Sequence, residues 1–125
     1  MGKEILIIDD CKMTTRILSK VMAELGFDVH TAQSAEQAVG FLETHEPPSL
    51  FFVDWVMPGM SGVEFVAWLR SQPTTALTPV LMVTGERDLV RIAEAIRTGA
   101  NEYIMKPFSR EVIEEKLNIL GISVG

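Results

Sequence analysis

Short apolar runs alternate along the chain with segments in which apolar residues recur every three or four positions. Continuous apolar runs are typical of strands covered on both faces, and the helical period is typical of helices with one buried side. A run that alternates apolar and polar residues predicts a strand with one wetter face. Strands are predicted at 3–8, 27–32, 49–54, 79–84 and 102–105. Helices are predicted at 13–25, 34–45, 62–71, 86–99 and 109–120.

Capping signals mark several of these boundaries. Gly26 follows the first predicted helix and Gly99 closes the fourth, since a glycine commonly ends a helix. Ser34 with Gln37 three residues later is a capping-box pattern, and Ser109 is a candidate cap for the last helix.

The order of the elements is strand then helix, five times. Such alternation predicts a parallel sheet with helices on both faces. The second strand, 27–32, is the alternating one, so we place it at an edge. The expected fold is therefore a flavodoxin-like, doubly wound α/β domain with strand order 2-1-3-4-5. We expect residues 1–125 to form a single domain, since 125 residues are enough for one core.

Composition narrows the classes of function. The net charge is −6 and the pI is about 4.9, which argues against a domain that binds nucleic acid through its phosphates. No apolar run approaches the roughly 18 residues that would span a membrane, and an acidic residue comes too early for a signal peptide. The single cysteine excludes an internal disulfide and fits a cytoplasmic protein. The excess of acid is compatible with a solvated surface or with a cation site.

Polar side chains stand at the carboxyl ends of four predicted strands. The first strand ends in Asp9 and Asp10, the third in Asp54, the fourth in Thr84, and the fifth is followed by Lys106. Ligands of such sheets bind beyond the carboxyl ends, near the point where the strand order reverses. Because the first and third strands are expected to be neighbours, three carboxylates would share one pocket with a hydroxyl and an ammonium group.

Clustered carboxylates repel one another unless a cation offsets their charge. Mg²⁺ suits a site of few carboxylates, and it keeps waters for a phosphate. A carboxylate can also act as a nucleophile toward phosphorus, with the metal and a lysine supplying charge neutralisation. Each residue alone has a plainer reading, and Asp10 could simply cap the first helix. The full set favours a magnesium-assisted phosphate site.

The chain resembles the receiver domain of two-component response regulators, and most closely a stand-alone receiver of the chemotaxis type. The resemblance covers essentially the whole chain. Four motifs carry it in order: the pair Asp9-Asp10, "VDWVMPGMSG" around Asp54, Thr84 after an apolar strand, and "GANEYIMKPF" ending after Lys106.

The resemblance implies a role for each matching residue. Asp54 would accept a phosphoryl group from the phosphohistidine of a sensor kinase or a phosphotransfer protein. Asp10, Asp54 and the backbone carbonyl of Val56 would bind Mg²⁺, while Asp9 would act mainly through water. Thr84 and Lys106 would contact the arriving phosphoryl group.

The same resemblance implies a switch and a shaped loop. Tyr103 occupies the family's switch aromatic position, and its ring would turn inward as Thr84 moves. Pro58 and Gly59, with Gly62, would shape the loop that turns the Val56 carbonyl toward the metal. The bond before Pro107 would be cis, which proline tolerates.

Two positions depart from the commoner family pattern. Cys11 follows the acidic pair where a serine is frequent, and we read it as a small, mostly buried side chain. Val56 is apolar where many relatives are polar. Val56 and Glu86, which stands two residues after Thr84, would tune hydrolysis of the phosphoryl group; Val56 cannot orient a water by hydrogen bonding, whereas Glu86 has an acceptor for one.

Two surfaces are expected to meet partners. The fourth helix, fifth strand and fifth helix form a mixed face that would read a downstream protein target or output domain, with Arg87, Arg91, Arg97 and Lys116 among its charges. The kinase would dock around Thr14, Leu18 and Phe108. Direct contact with nucleic acid and insertion into a membrane are not expected. The chain would be a monomer or a phosphorylation-dependent dimer.

Other readings stay open. The chain is either a complete single-domain regulator or the receiver portion of a longer response regulator. A magnesium-dependent aspartyl-phosphate phosphohydrolase usually has Asp-x-Asp after its first strand, whereas the acids here are adjacent. A flavodoxin-like redox domain needs a glycine- and hydroxyl-rich phosphate loop where this chain has "DDCKMTT". We therefore expect a signalling domain that catalyses its own phosphorylation and dephosphorylation, and not an enzyme in the usual sense.

Overall fold

A computed structural model of the chain describes residues 3–85 and 89–122. Within these two ranges, five strands and five helices alternate as predicted. The elements are β1 (Glu4–Ile8), α1 (Lys12–Glu24), β2 (Asp28–Ala32), α2 (Ala35–Thr44), β3 (Leu50–Asp54), α3 (Gly62–Ser71), β4 (Val80–Thr84), α4 (Leu89–Thr98), β5 (Glu102–Met105) and α5 (Arg110–Ile119).

The strands form one parallel sheet of order β2-β1-β3-β4-β5. The predicted flavodoxin-like fold and the edge position of β2 are therefore confirmed. Residues of β1 and β3 that are adjacent in sequence point to opposite faces of the sheet, so each strand contributes side chains to two separate cores. One core packs the sheet against α2, α3 and α4, and the other packs it against α1 and α5. Because β3 is buried at every position, Asp54 at its end has little freedom to move.

The helix caps agree with the sequence patterns in most respects. The Ser34 hydroxyl accepts from the Gln37 amide at 3.1 Å, and the Ser109 hydroxyl accepts from the Val112 amide at 3.2 Å. The Gln37 side chain, however, accepts from the backbone N–H of Gln33 and not from that of Ser34. The predicted start of the fourth helix at 86–88 lies outside the described residues.

A full capping box, absent from the sequence-based expectations, opens α3. The Ser61 hydroxyl accepts from the Glu64 amide at 3.1 Å, and the Glu64 carboxylate accepts from the Ser61 amide at 3.0 Å. Hydrogen bonds from the Ser61 backbone and, to a lesser extent, from the Ser61 side chain hold the pKa of the Glu64 carboxyl below its usual range. The box fixes the point at which the loop after β3 becomes a helix.

Arg70 ties together the pole of the domain that lies opposite the strand carboxyl ends. Its guanidinium donates to the carbonyls of Gly99 (3.0 and 2.8 Å), Thr78 (2.7 Å) and Thr75 (3.0 Å), and to the side chain of Asn101 (2.9 Å). Gly99 has a φ of +132°, and a Cβ there would lie 2.8 Å from the Arg70 Cγ. One side chain thus joins the end of α3 to the loops before β4 and β5.

No helix in the described ranges, 3–85 and 89–122, is long and apolar enough to cross a membrane.

Candidate functional site

The carboxyl ends of β1, β3, β4 and β5 bring the predicted site residues together. Oxygens of Asp9, Asp10 and Asp54 lie within 4.8 Å of one another. The Lys106 Nζ is 3.5 Å from Asp9 Oδ2 and 3.6 Å from Asp54 Oδ1. Thr84 is buried at the end of β4, and its carbonyl accepts from the Lys106 amide at 2.7 Å. The topology rule used on the sequence therefore placed the pocket correctly.

The three carboxylates have different surroundings. Asp9 and Asp54 are buried, with exposed fractions of 2% and 7%, whereas Asp10 faces solvent. Asp9 Oδ1 accepts from the Cys11 amide at 2.8 Å. Cys11, and not Asp10, is the N-cap residue of α1, so the plainer reading of Asp10 as a helix cap is wrong.

The electrostatics of the pocket leave Asp54 difficult to ionise. Burial is the main cause, and the negative charges of Asp9 and Asp10 add to it, while Lys106 acts in the opposite direction. Together they raise the pKa of Asp54 from the ordinary value of 3.8 to about 7. A divalent cation would remove this penalty, because it stabilises the ionised form.

The acidic cluster fits Mg²⁺ on the chemistry of its donors. Hard divalent cations take carboxylate oxygens as ligands, and Mg²⁺ uses few of them. Asp9 Oδ2 is fully buried, yet it makes no hydrogen bond to any described residue and has only the ionic contact with Lys106. A buried oxygen of this kind is costly unless a cation or an ordered water satisfies it.

Backbone contacts shape the loop between β3 and α3. The Trp55 amide donates to the Val83 carbonyl and the Gly62 amide donates to the Trp55 carbonyl, both at 3.1 Å. A Cβ on Gly62 would stand 2.1 Å from the Asp54 carbonyl oxygen, so this position requires glycine. Gly59 has a φ of +78°, a backbone conformation that favours glycine. The prediction that glycines shape this loop thus has a steric basis.

The remaining predicted positions that the structure describes lie on the segments that follow β3 and β5. Val56 is 60% exposed just after the end of β3, and Pro58 is also exposed. The bond between Lys106 and Pro107 is cis, as expected. Glu86 lies outside the described residues.

Tyr103 is half-buried on β5, and its ring makes a cation–π contact with Lys116 of α5. The Lys116 Nζ lies 4.7 Å from the ring centroid. The same ammonium donates to Glu102 Oε1 at 2.7 Å, and the Tyr103 amide donates to that oxygen at 3.1 Å. The predicted switch side chain is therefore in contact with α5. No pattern in the sequence indicates this contact.

Two expectations about α1 are wrong. Cys11 is exposed and not buried, because the N-cap residue has an extended backbone that directs the side chain away from the core. Its pKa is lowered, mainly by a hydrogen bond with the Thr14 side chain. Leu18 is fully buried and cannot form a docking surface, whereas Thr14 is mostly buried but lines the groove described next.

Their exposed neighbours form a groove on the same side of α1. Met13 is 72% exposed and Ile17 is 46% exposed. The groove has a volume of about 310 Å³ and is lined by Cys11, Met13, Thr14, Ile17, Lys106, Pro107 and Phe108.

Comparison with known proteins agrees with this geometry. The sequence profile of the response regulator receiver domain matches residues 5–118. The chain is 36% identical over 115 residues to the chemotaxis protein CheY of Pseudomonas aeruginosa, covering 91% of this chain and 92% of that protein. It is 34% identical over 124 residues to a chemotaxis protein CheY homologue of Campylobacter jejuni, covering 98% and 95%. The solved structure of the chemotaxis response regulator CheY4 of Vibrio cholerae superposes with a TM-score of 0.89 at 28% identity, covering 96% and 99%.

These matches extend over the strands that supply the acidic cluster, and they identify a signalling protein and not a classical enzyme. A receiver implies a histidine kinase partner and a downstream target. The fold, the acidic cluster and the matched residues together establish that the chain belongs to the response regulator receiver domain family.

Proposed function

We propose that the chain is a phosphorylation-driven switch in which Asp54 accepts a phosphoryl group from a phosphohistidine. The donor is a sensor histidine kinase or a phosphotransfer protein. An Asp54 oxygen attacks phosphorus, the P–N bond breaks, and its electron pair returns to the imidazole of the donor. The observation that carries the proposal is the position of Asp54, buried at the end of β3 and 3.6 Å from Lys106.

Mg²⁺ is the cofactor of this proposal, and when bound it neutralises charge on the carboxylates and on the phosphoryl oxygens. Asp10, Asp54 and the Val56 carbonyl would hold it directly, and Asp9 would act through a water. The raised pKa of Asp54 supports this assignment, because the cation favours the ionised nucleophile.

Thr84 and Lys106 would bind the phosphoryl group after transfer. Lys106 already lies between Asp9 and Asp54, so the new phosphate oxygens would meet a positioned ammonium group. Thr84 would donate its hydroxyl and draw the end of β4 inward, which gives Tyr103 room to turn. Phosphorylation would thereby repopulate two conformations that are already in exchange.

Phosphorylation would change the face formed by α4, β5 and α5, and the downstream partner would bind there. Leu89 and Val90 are 77% and 70% exposed there, beside the exposed Arg91 and Arg97. Such a mixture of apolar and charged side chains suits a protein partner. The kinase or phosphotransfer protein would dock on the α1 groove, where Met13 and Ile17 are exposed beside Lys106.

The wider assignments follow from this mechanism. We infer that residues 1–125 act as one receiver unit in the cytoplasm, as a monomer or as a phosphorylation-dependent dimer. Val56 and Glu86 would set how fast water removes the phosphoryl group, which makes dephosphorylation part of the chain's own chemistry.

Intact mass spectrometry after incubation with Mg²⁺ and acetyl phosphate tests the proposal. The wild type should gain one phosphoryl group. The Asp54→Asn variant should gain none, and EDTA added at the start should abolish the gain. A gain of equal size in Asp54→Asn would remove Asp54 as the acceptor. If folded wild type gains nothing, a binding assay with beryllofluoride should be run, with Trp55 fluorescence as the signal. No saturable response there either would contradict the proposal.

A further inference from the structure

Glu36 lies in the first turn of α2, and its side chain reaches the loop that follows the acceptor strand. Glu36 Oε2 accepts from the Met60 amide at 3.0 Å, a contact that joins residues 24 positions apart. Gly59 makes room for this carboxylate, because a Cβ there would lie 2.8 Å from Glu36 Oε2. The glycine thus serves a contact as well as a backbone conformation.

The bond to Glu36 holds the middle of a loop whose two ends are fixed separately. At the start, the Trp55 amide bonds to β4. At the end, the capping box of Ser61 and Glu64 fixes the first turn of α3, and Gly62 packs against the Asp54 carbonyl. Residues between these ends include Val56, whose carbonyl is a proposed metal ligand. Without a hold at its middle, such an exposed loop samples more conformations.

We propose that Glu36 is a positioning residue for the metal site. By accepting from the Met60 amide, it keeps the loop in the conformation that presents the Val56 carbonyl, although Glu36 does not itself touch the metal. Partners that orient metal ligands in this way contribute to affinity without being ligands. This proposal rests on the proposed magnesium-dependent function and names a further residue on which it depends.

A simpler role for Glu36 makes a different prediction. An acid in the first turn of a helix also interacts favourably with the helix dipole. That role depends on the negative charge, whereas the proposed role depends on a hydrogen-bond acceptor. Glu36→Gln keeps an acceptor of the same length and removes the charge, while Glu36→Ala removes both. Glu43 is an exposed glutamate near the other end of α2, so Glu43→Ala is a control for loss of a carboxylate from the same helix.

The first experiment is amide hydrogen exchange of metal-free protein, followed by NMR. In Glu36→Ala, the Met60 amide should exchange roughly three to ten times faster than in the wild type, as expected for loss of one hydrogen bond. Glu36→Gln and Glu43→Ala should stay within about twofold of the wild type, on the same scale. Equal exchange of Met60 in the wild type and in Glu36→Ala would overturn the proposal.

The second experiment is a Mg²⁺ titration followed by tryptophan fluorescence, with Trp55 beside the acceptor. Glu36→Ala should weaken Mg²⁺ binding about three- to tenfold, which is at or below the lower limit of about tenfold that is typical for loss of an outer partner, because the contact is exposed. Glu36→Gln should restore most of the affinity, and Glu43→Ala should match the wild type. Equal weakening in the Gln and Ala variants would assign the effect to charge and overturn the proposal.

The two readouts separate failure of this proposal from failure of the proposed function. If wild-type protein shows no saturable response to Mg²⁺, the magnesium-dependent function fails, and the role of Glu36 at a metal site falls with it even if Met60 exchange responds. If the wild type binds Mg²⁺ and Glu36→Ala binds equally well, the function stands and only the role of Glu36 is refuted.

Discussion

The Asp54 carboxylate, the proposed phosphoacceptor, should destabilise the metal-free protein at neutral and higher pH. Its pKa is about 7 in the folded state against an ordinary value of 3.8, so the folded protein binds this proton more tightly than the unfolded chain. Between pH 3.8 and about pH 7, Asp54 is more often protonated in the folded protein than in the unfolded chain. The free energy of unfolding therefore falls as the pH rises through this range. Well above pH 7 both states are ionised, and the contribution is then constant and fully unfavourable.

The magnitude follows from the size of the shift. A change of about three pKa units corresponds to about 4 kcal/mol, at about 1.4 kcal/mol per unit. Relaxation of the pocket and coupling to Asp9 reduce this, so we expect about 2–4 kcal/mol. Asp54→Asn keeps the shape and cannot ionise. It should be more stable than the wild type by this amount at pH 8, and the difference should shrink to about 1 kcal/mol or less at pH 4.5.

Urea unfolding of metal-free protein, followed by circular dichroism at half-unit steps of pH, measures the difference. Subtracting the two curves cancels the titration of every group that the variant leaves undisturbed. Asp28→Asn, at an exposed carboxylate, is the matched control and should give a small, constant difference. If Asp54→Asn is no more stable than the wild type at pH 8, or if the difference does not depend on pH, the reasoning is refuted. Saturating Mg²⁺ should shrink the difference, since it stabilises the ionised wild type.

Three further predictions concern the surroundings of the site. Gly62→Ala should lower the free energy of unfolding, measured by urea unfolding, by about 2–4 kcal/mol and should slow phosphorylation, because its Cβ would collide with the Asp54 carbonyl. The control is Gly40→Ala on α2, where a Cβ would have no atom within 4 Å. It should be neutral or stabilising by up to about 1 kcal/mol in the same assay. Arg70→Lys should cost about 2 kcal/mol, because lysine cannot reproduce the forked hydrogen bonds, with Mg²⁺ affinity unchanged in a fluorescence titration. Val56→Asn should speed loss of the phosphoryl group several-fold in a mass-spectrometric time course, since an amide can orient a water, and an equal rate would contradict this role.

The strand order and the pocket were predictable because two simple patterns carry them. Buried strands are continuous in apolar residues, and the alternation of strand and helix leaves few topologies. Once β1 and β3 are neighbours, the acids that follow them must meet. Asp9, Asp54 and Lys106 were found by reading the strand ends, without reference to any contact.

Side-chain exposure on α1 was not predictable from periodicity alone. Apolar residues at Met13, Ile17, Leu18 and Met22 form a stripe wider than the face that packs on the sheet. The structure buries Leu18 and Met22 and leaves Met13 and Ile17 exposed. An apolar residue at the border of such a stripe can be buried or exposed, since its burial depends on the neighbouring loop.

Contacts between distant segments were also out of reach. Glu36 reads as an ordinary acid in the first turn of a helix, and nothing in the spacing indicates that it bonds to Met60. The bonds of Arg70 to Gly99 span 29 positions, and Lys116 meets Tyr103 across the edge of the sheet. Such contacts depend on three-dimensional packing, which one sequence without a fold does not specify.

The backbone hydrogen bond from Lys106 to the Thr84 carbonyl has a mechanical consequence. The two residues proposed to grip the phosphoryl group are joined at 2.7 Å through their main chains, so the ends of β4 and β5 share one degree of freedom. A phosphoryl group that draws either residue inward would therefore move both. We therefore expect the domain to respond to phosphorylation by a transition between two conformations, with few intermediates. The extent of binding to a partner would then follow the fraction of molecules in the active conformation.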